Sequence, residues 1–66
     1  MDEDVGVVRV RFTNIYKFPV AEGNVITSVV RGTKVQILGE DGEFYRIDFA
    51  NQMAYICKTC IATVEQ

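Results

Sequence analysis

Cys57-Lys58-Thr59-Cys60 is the segment whose residue types and spacing could most readily do chemistry. The two thiols could be plain thiols, form a disulfide, share a metal ion with a second copy of the chain, or act as a redox pair. A structural zinc site needs four ligands, and the chain has two cysteines and no histidine. A redox Cys-x-x-Cys opens a helix in a βαβ unit, whereas this pair ends a predicted strand. We favour plain thiols, with no bound metal and no cofactor.

The other residue types needed for catalysis are mostly missing. Without histidine, neither a Ser-His nor a Cys-His pair can be assembled. Ser28 is the only serine and falls inside a predicted strand. Glu40, Asp41 and Glu43 crowd a turn that we expect to be solvated. The sequence therefore predicts no catalytic residues and a protein that is not an enzyme.

Aromatic side chains are the better candidates for a binding site. Tyr16 and Phe18 lie in a predicted long loop, where ligand contacts are common. Phe44 and Tyr55 are predicted to share one strand face with Arg46, and exposed aromatic rings make rigid anchors. The alternative is that Phe18 and Phe44 cap the open ends of a small barrel, while the tyrosine hydroxyls suit half-wet positions.

Asn14 is the remaining candidate for ligand contact, although an asparagine in a loop more often satisfies backbone groups. The predicted ligand-binding set is Asn14, Tyr16, Phe18, Phe44 and Tyr55. Arg9, Arg11 and Arg46 could share an outer face, and a solvated sheet surface is the favoured interpretation of that face.

Composition indicates that strands position these residues. Valine, isoleucine and threonine supply 21 residues, against five leucines and alanines together, and β-branched side chains favour strands. The formal charge is −2, but three acidic residues fall within the first four positions, and the remainder carries seven basic and six acidic residues. The body therefore lacks the basic footprint of a nucleic-acid binder, and no apolar run is long enough to span a membrane.

Alternation at period two predicts five or six short antiparallel strands. Val8, Val10 and Phe12 share one face of the first strand, and residues 14–24 form a long irregular loop around the only proline. Further strands follow at residues 25–30, 34–38, 44–49 and 53–57, with a tight turn at 39–42. A single helical turn around Lys58 then leads to a closing strand at 61–64. The predicted core is Val8, Val10, Val35, Ile47, Ile56 and Ile37.

We predict a polar leader over residues 1–6 and one all-β barrel domain over residues 7–66. A chain of this size buries only about 60% of its unfolded surface, which leaves room for a small core and none for a deep cleft.

The order of these motifs resembles the bacterial Src homology 3 domain over residues 8–61. Asn14, Ile15 and Pro19 keep the frame of the family's Asn-Val-Arg-x-Gly-Pro segment, although Tyr16 replaces its arginine and Phe18 its glycine. The family's Gly-Thr-x-Val pattern is present as Gly32-Thr33-Lys34-Val35. Phe44 stands for its tryptophan before the fourth strand, and Ala54-Tyr55-Ile56 for its closing Gly-Trp-Val.

The resemblance implies an SH3-like barrel that binds peptidoglycan or a partner protein and tethers a neighbouring catalytic domain. We expect a cell-wall-binding module with a peptidoglycan peptide or glycan as ligand. The alternative is a protein–protein assembly domain, as in a small free-standing bacterial or phage structural protein. A nucleic-acid-binding barrel is a distant third. The expected location is extracytoplasmic or cell wall for an excised module, and cytoplasm or phage particle if Met1 is the native start.

Overall fold

The computed structural model describes residues 4–20 and 24–64 and is built from strands. Its seven strands, in chain order, are β1 (Asp4–Val8), β2 (Phe12–Tyr16), β3 (Val25–Val30), β4 (Lys34–Asp41), β5 (Phe44–Phe49), β6 (Gln52–Cys57) and β7 (Ile61–Val64). A three-residue 3-10 helix, Lys58–Cys60, joins β6 to β7. The all-β prediction and the single helical turn at Lys58 are both confirmed. The described residues include no helix with the length and apolar character that a membrane crossing requires.

All seven strands form one antiparallel sheet in the order β3-β2-β6-β5-β4-β1-β7. The sheet curls around a single core, since buried side chains from six strands meet in one cluster. That cluster is Val8, Ile15, Val35, Ile47, Ala54, Ile56 and Ile61. Four of the six predicted core residues are buried, while Val10 and Ile37 are partly buried against the cluster. Ile15, Ala54 and Ile61 are core residues that the pattern did not single out.

The first predicted strand is two strands in the structure, and this is the main correction to the sequence interpretation. The chain bends at residues 9–11, after which β2 pairs with β3 and β6 instead of continuing β1. Phe12 was predicted to share the face of Val8, but it is 64% exposed. The strands also extend beyond their predicted limits. β1 begins at Asp4, within the predicted leader, and β2 includes Asn14–Tyr16 of the predicted loop. Residues 1–3 of that leader and 21–23 of that loop lie outside the described residues.

Bulges and tight turns set the register of the sheet. In β3, Val25 pairs with Tyr16 and Thr27 with Ile15, so Ile26 is an extra, unpaired residue. This bulge changes which side chains of β3 point toward the core. This explains why β3 is apolar on both faces, because Ile26 and Val29 both pack against the core.

The β4–β5 turn is two residues later than predicted. β4 runs to Asp41, and the two-residue loop is Gly42 and Glu43, with Gly42 at φ +61°. Positive φ at the first loop position alone is typical of a type II′ turn. A second bulge, at Leu38, lies between the paired positions Ile37 and Gly39 and leaves Leu38 about half exposed.

Candidate functional site

Three of the predicted ligand-binding residues, Tyr16, Phe44 and Tyr55, lie on one outer surface of the sheet, here called the aromatic face. They come from three neighbouring strands, β2, β5 and β6. Each alternates with a core residue: Ile15 precedes Tyr16, and Ile56 follows Tyr55. Because side chains alternate between the two faces of a strand, burial of these isoleucines turns the aromatic rings outward. The predicted common face of Phe44, Tyr55 and Arg46 agrees with the pairing of Arg46 and Tyr55.

Tyr16 is adjacent to both other members of the aromatic face. It is the register partner of Tyr55, and residues directly opposite in an antiparallel ladder have Cβ atoms about 4.5–5.5 Å apart. Its ring also meets that of Phe44 edge to face, with centroids 5.6 Å apart and planes at 85°. All three side chains are half-buried. The edge-to-face contact is the favourable aromatic geometry, so it holds both rings in fixed positions while leaving apolar surface accessible.

The other two predicted residues are placed differently. Asn14 is half-buried on the same side of β2 as Tyr16, opposite Ser28 of β3. Phe18 is 49% exposed in the connection after β2, with the Lys17 Nζ 5.8 Å from its ring centroid. Within residues 4–20 and 24–64, the Tyr16–Phe44 pair is the one close aromatic ring pair. The aromatic face therefore contains three of the five candidates, with Asn14 beside it.

A shallow depression of about 510 Å³ lies next to the aromatic face. Its lining is Gly42, Glu43, Cys57, Lys58 and Thr59. The depression and the aromatic face are adjacent because Phe44 follows Glu43 in the chain and pairs with Cys57 in the β5–β6 ladder. A backbone hydrogen bond of 3.0 Å from the Lys58 N–H to the Glu43 carbonyl fixes the two walls. The sequence did not reveal this site, since its walls are brought together only by the β5–β6 pairing.

Two ion pairs flank these surfaces. Lys58 Nζ lies 2.7 Å from Glu40 Oε1 and also 5.6 Å from the centroid of the Tyr45 ring. Arg46 Nη1 lies 2.9 Å from Asp41 Oδ2. Arg46, the register partner of Tyr55, and Lys58, in the wall of the depression, are thus paired with carboxylates. This arrangement favours an uncharged or weakly charged ligand over a polyanion.

The Cys57 thiol in the depression has a hydroxyl group as a close neighbour. Its Sγ lies 3.1 Å from the Thr59 hydroxyl oxygen, and both cysteines are half-buried free thiols. The Thr59 hydrogen bond lowers the pKa of Cys57, because it stabilises the thiolate, and partial burial opposes this effect. Among the described residues, no three His, Cys, Asp or Glu side chains are grouped as a metal would require. The expectation that the protein binds no metal stays a prediction.

A second depression, of about 220 Å³, lies along residues 37–40 of β4. It is lined by Asp4, Ile37, Leu38, Gly39, Glu40, Tyr45 and Thr63. Its one aromatic side chain, Tyr45, is already covered by the ammonium group of Lys58. The aromatic face has three aromatic side chains, two of them in edge-to-face contact, and is the stronger candidate.

Seven antiparallel strands around one small core, with a 3-10 turn before the last strand, define the protein as a small SH3-like barrel. The family model for the bacterial SH3 domain matches residues 7–61, which is most of the chain. The chain therefore belongs to the bacterial SH3 domain family, as the sequence motifs predicted. Comparison with curated proteins found no significant match. Domains of this family are generally binding modules rather than enzymes, and the fold and family together support that class for this chain.

Proposed function

We propose that this barrel is a non-catalytic module that binds bacterial cell-wall peptidoglycan, through its peptide or glycan, at the aromatic face and the adjoining depression. The observation that carries the proposal is the alignment of Tyr16, Phe44 and Tyr55 across three paired strands. Together they present a continuous apolar surface beside a shallow depression, which suits an extended chain lying across the sheet. Asn14, at the margin of this surface, supplies an amide for hydrogen bonding to such a chain.

The aromatic face is suited to binding because its side chains are already ordered. A tyrosine has two side-chain torsions, and the Tyr16–Phe44 contact restricts both rings before any ligand arrives. Little conformational entropy is then lost on binding, which raises the affinity obtained from a given contact area. Because the flanking basic groups are paired, the interaction does not depend on long-range charge attraction.

Co-sedimentation of the purified protein with purified bacterial cell walls tests this proposal. Tyr16→Ala and Tyr55→Ala should each weaken wall binding by about thirtyfold, the equivalent of about 2 kcal/mol for an interface anchor. Tyr55→Phe, which keeps the ring, should retain most of the binding. Binding should also persist as salt is raised, since screening weakens mainly charge-driven association.

Phe12→Ala is the matched control, because Phe12 is a 64% exposed aromatic residue on the same strand as Tyr16 but at its opposite end. This variant should bind walls like the unmodified protein. Thermal unfolding of every variant separates loss of binding from loss of fold. Wall binding that is unaffected by the tyrosine changes, or that never occurs with walls of any bacterium, contradicts the proposal.

Assembly with a protein partner is the second candidate, and the edge strand β3 favours it. β3 lies at one edge of the sheet and contains no charged residue in Val25–Val30. Val30 and its register partner Phe12 are 63% and 64% exposed, so an apolar pair lies beside an unprotected edge. Exposed edges of this kind are templates for pairing with another chain. If Phe12→Ala abolishes capture of a defined protein partner while the tyrosine variants do not, assembly is the better description.

A further inference from the structure

Cys57 and Cys60 lie at opposite ends of the turn that forms one wall of the depression. Cys57 is the residue before the 3-10 helix, and Cys60 is the last residue in it. Cys57 itself has an extended backbone, with φ −64° and ψ 132°, and the turn begins after it. Across such a turn the two Cα atoms are within about 7 Å, a range that overlaps the roughly 4.4–6.8 Å spacing of disulfides. The turn therefore brings the two cysteines near one another, and the Cys60 side chain is close enough to act on the Cys57 thiol.

The two thiols are not equivalent, because the Thr59 hydroxyl lies beside the Cys57 sulfur and no hydroxyl of the described residues is bonded to Cys60. Thr59 Oγ1 is 3.1 Å from Cys57 Sγ, and as a hydroxyl donor it stabilises negative charge on that sulfur. This contact is the largest cause of the lowered pKa of the Cys57 thiol, and the Cys60 side chain acts in the same direction, while partial burial and the negative charge of Glu43 oppose it. Lys58, although adjacent, has its ammonium group at Glu40, 2.7 Å away. Cys57 is thus the nucleophilic member of the pair, and Thr59 is the residue that positions it.

We propose that Cys57 and Cys60 form a thiol–disulfide exchange site for small-molecule disulfides, with Cys57 as the attacking residue and Cys60 as the resolving residue. The Cys57 thiolate attacks one sulfur of the disulfide, whose S–S bond breaks and releases one thiolate. A mixed disulfide on Cys57 results. Cys60 then loses its proton to solvent and attacks the Cys57 sulfur, which releases the second thiolate. Overall, two cysteine thiols are oxidised to one disulfide and the small molecule is reduced to two thiols.

The position of the pair links its oxidation state to the adjoining surface. Cys57 lines the depression and is the register partner of Phe44 in the aromatic face. A bond from Cys57 to Cys60 would withdraw the sulfur from Thr59 and fix the turn that carries Lys58 and Thr59. Oxidation therefore changes the shape of the depression while leaving the core strands in place. Thiol–disulfide exchange at this pair does not depend on which ligand the aromatic face binds.

The experiment mixes the fully reduced protein with oxidised glutathione and follows the products by mass spectrometry after acid quenching. The unmodified protein should become a monomer lighter by two hydrogen atoms, without a long-lived glutathione adduct. Cys60→Ser should accumulate a mixed disulfide on Cys57, because the resolving thiol is missing. Cys57→Ser should react more slowly than Cys60→Ser at neutral pH, because its remaining thiol lacks the Thr59 hydrogen bond.

Thr59→Val tests whether Thr59 acts through Cys57. It should shift the pH profile of the reaction to higher pH. Below the pKa, the rate should fall by about threefold for each unit by which the pKa rises, since the loss of thiolate is partly offset by greater nucleophilicity. Thr27→Val, at an exposed threonine of β3, is the matched control and should leave the profile unchanged.

A measurement on the unmodified protein guards against misfolded variants. The pH midpoint for alkylation of Cys57 should be lower in the folded protein than in urea. The proposal is overturned if the unmodified protein stops at a stable mixed disulfide, or if the two serine variants react at equal rates. Identical profiles for the Thr59 and Thr27 variants, or equal midpoints with and without urea, would overturn the role of Thr59.

Discussion

Replacing Ala50 with glycine should stabilise the protein, because Ala50 occupies a backbone conformation that suits alanine poorly. The loop between β5 and β6 consists of Ala50 and Asn51, which have φ values of +51° and +65°. Positive φ at both positions of a two-residue hairpin loop is typical of a type I′ turn, which favours asparagine and glycine. Asn51 fits this preference, whereas Ala50 does not.

The size of the effect follows from two opposing terms. A left-handed conformation costs an L-residue such as alanine about 1–2 kcal/mol. Glycine removes this cost but loses about 0.5–1 kcal/mol more conformational entropy on folding. Ala50 is exposed, so no packing is lost with its methyl group. The net gain should be about 0.5–1 kcal/mol, which corresponds to a rise in Tm of roughly 2–8 °C for a domain of this length.

Urea unfolding and thermal scans of Ala50→Gly measure this gain directly. Ala62→Gly is the matched control, because Ala62 is also exposed but lies inside β7 and is not among the residues with positive φ. There the same change should destabilise the protein by about 0.5–1 kcal/mol. If both substitutions lower stability equally, the left-handed conformation of Ala50 contributes nothing and the reasoning fails.

Three further outcomes are expected. Ile47 has 0% exposure, so Ile47→Ala should lower the free energy of unfolding, measured in urea, by about 2–5 kcal/mol and leave a large fraction of the molecules unfolded. A decrease below about 1 kcal/mol would contradict the assigned core. Gly6→Ala should cost about 1–3 kcal/mol, because its new Cβ would lie 2.6 Å from Ile61 Cγ2; unchanged stability would show that this side chain moves freely. Protein purified under reducing conditions should show two titratable thiols, Cys57 and Cys60, after mild denaturation, and elemental analysis should find no metal. One zinc per two chains would instead indicate a zinc site shared between two copies of the chain.

Strands with simple alternation were predictable from the sequence, while the bend and the bulges were not. Ile47 and Ile56 are buried as their period-two pattern indicated. Between Val8 and Ile15, however, the buried positions change from even to odd residue numbers, and the prediction treated residues 7–13 as one strand. This switch of the buried positions from even to odd residue numbers coincides with the bend at residues 9–11. It also explains why Phe12, apolar and in line with Val8, is exposed.

Three of the five candidate residues lie on one face of the sheet, and the sequence indicated this arrangement only in part; their role in binding stays a prediction. Tyr55 lies between the buried residues Ala54 and Ile56, and Phe44 precedes Tyr45, which packs against the core, so their outward orientation followed from the pattern. The position of Tyr16 depended on β2 pairing with β6, a contact between distant parts of the chain that no local pattern encodes. The contact between the Cys57 sulfur and the Thr59 hydroxyl could not be predicted from the sequence either, since it depends on how the 3-10 turn places Thr59.

The pairing of β1 with β7 has a consequence for how this barrel can be connected to other polypeptides. Val5 in the first strand and Val64 in the last strand are direct register partners, so the start of β1 lies beside the end of β7. A few added residues should bridge them, and new ends could then be opened at the exposed Gly42–Glu43 turn without losing a strand pair. For the same reason, the barrel can be inserted into a surface loop of a host protein without forcing the two sides of that loop apart.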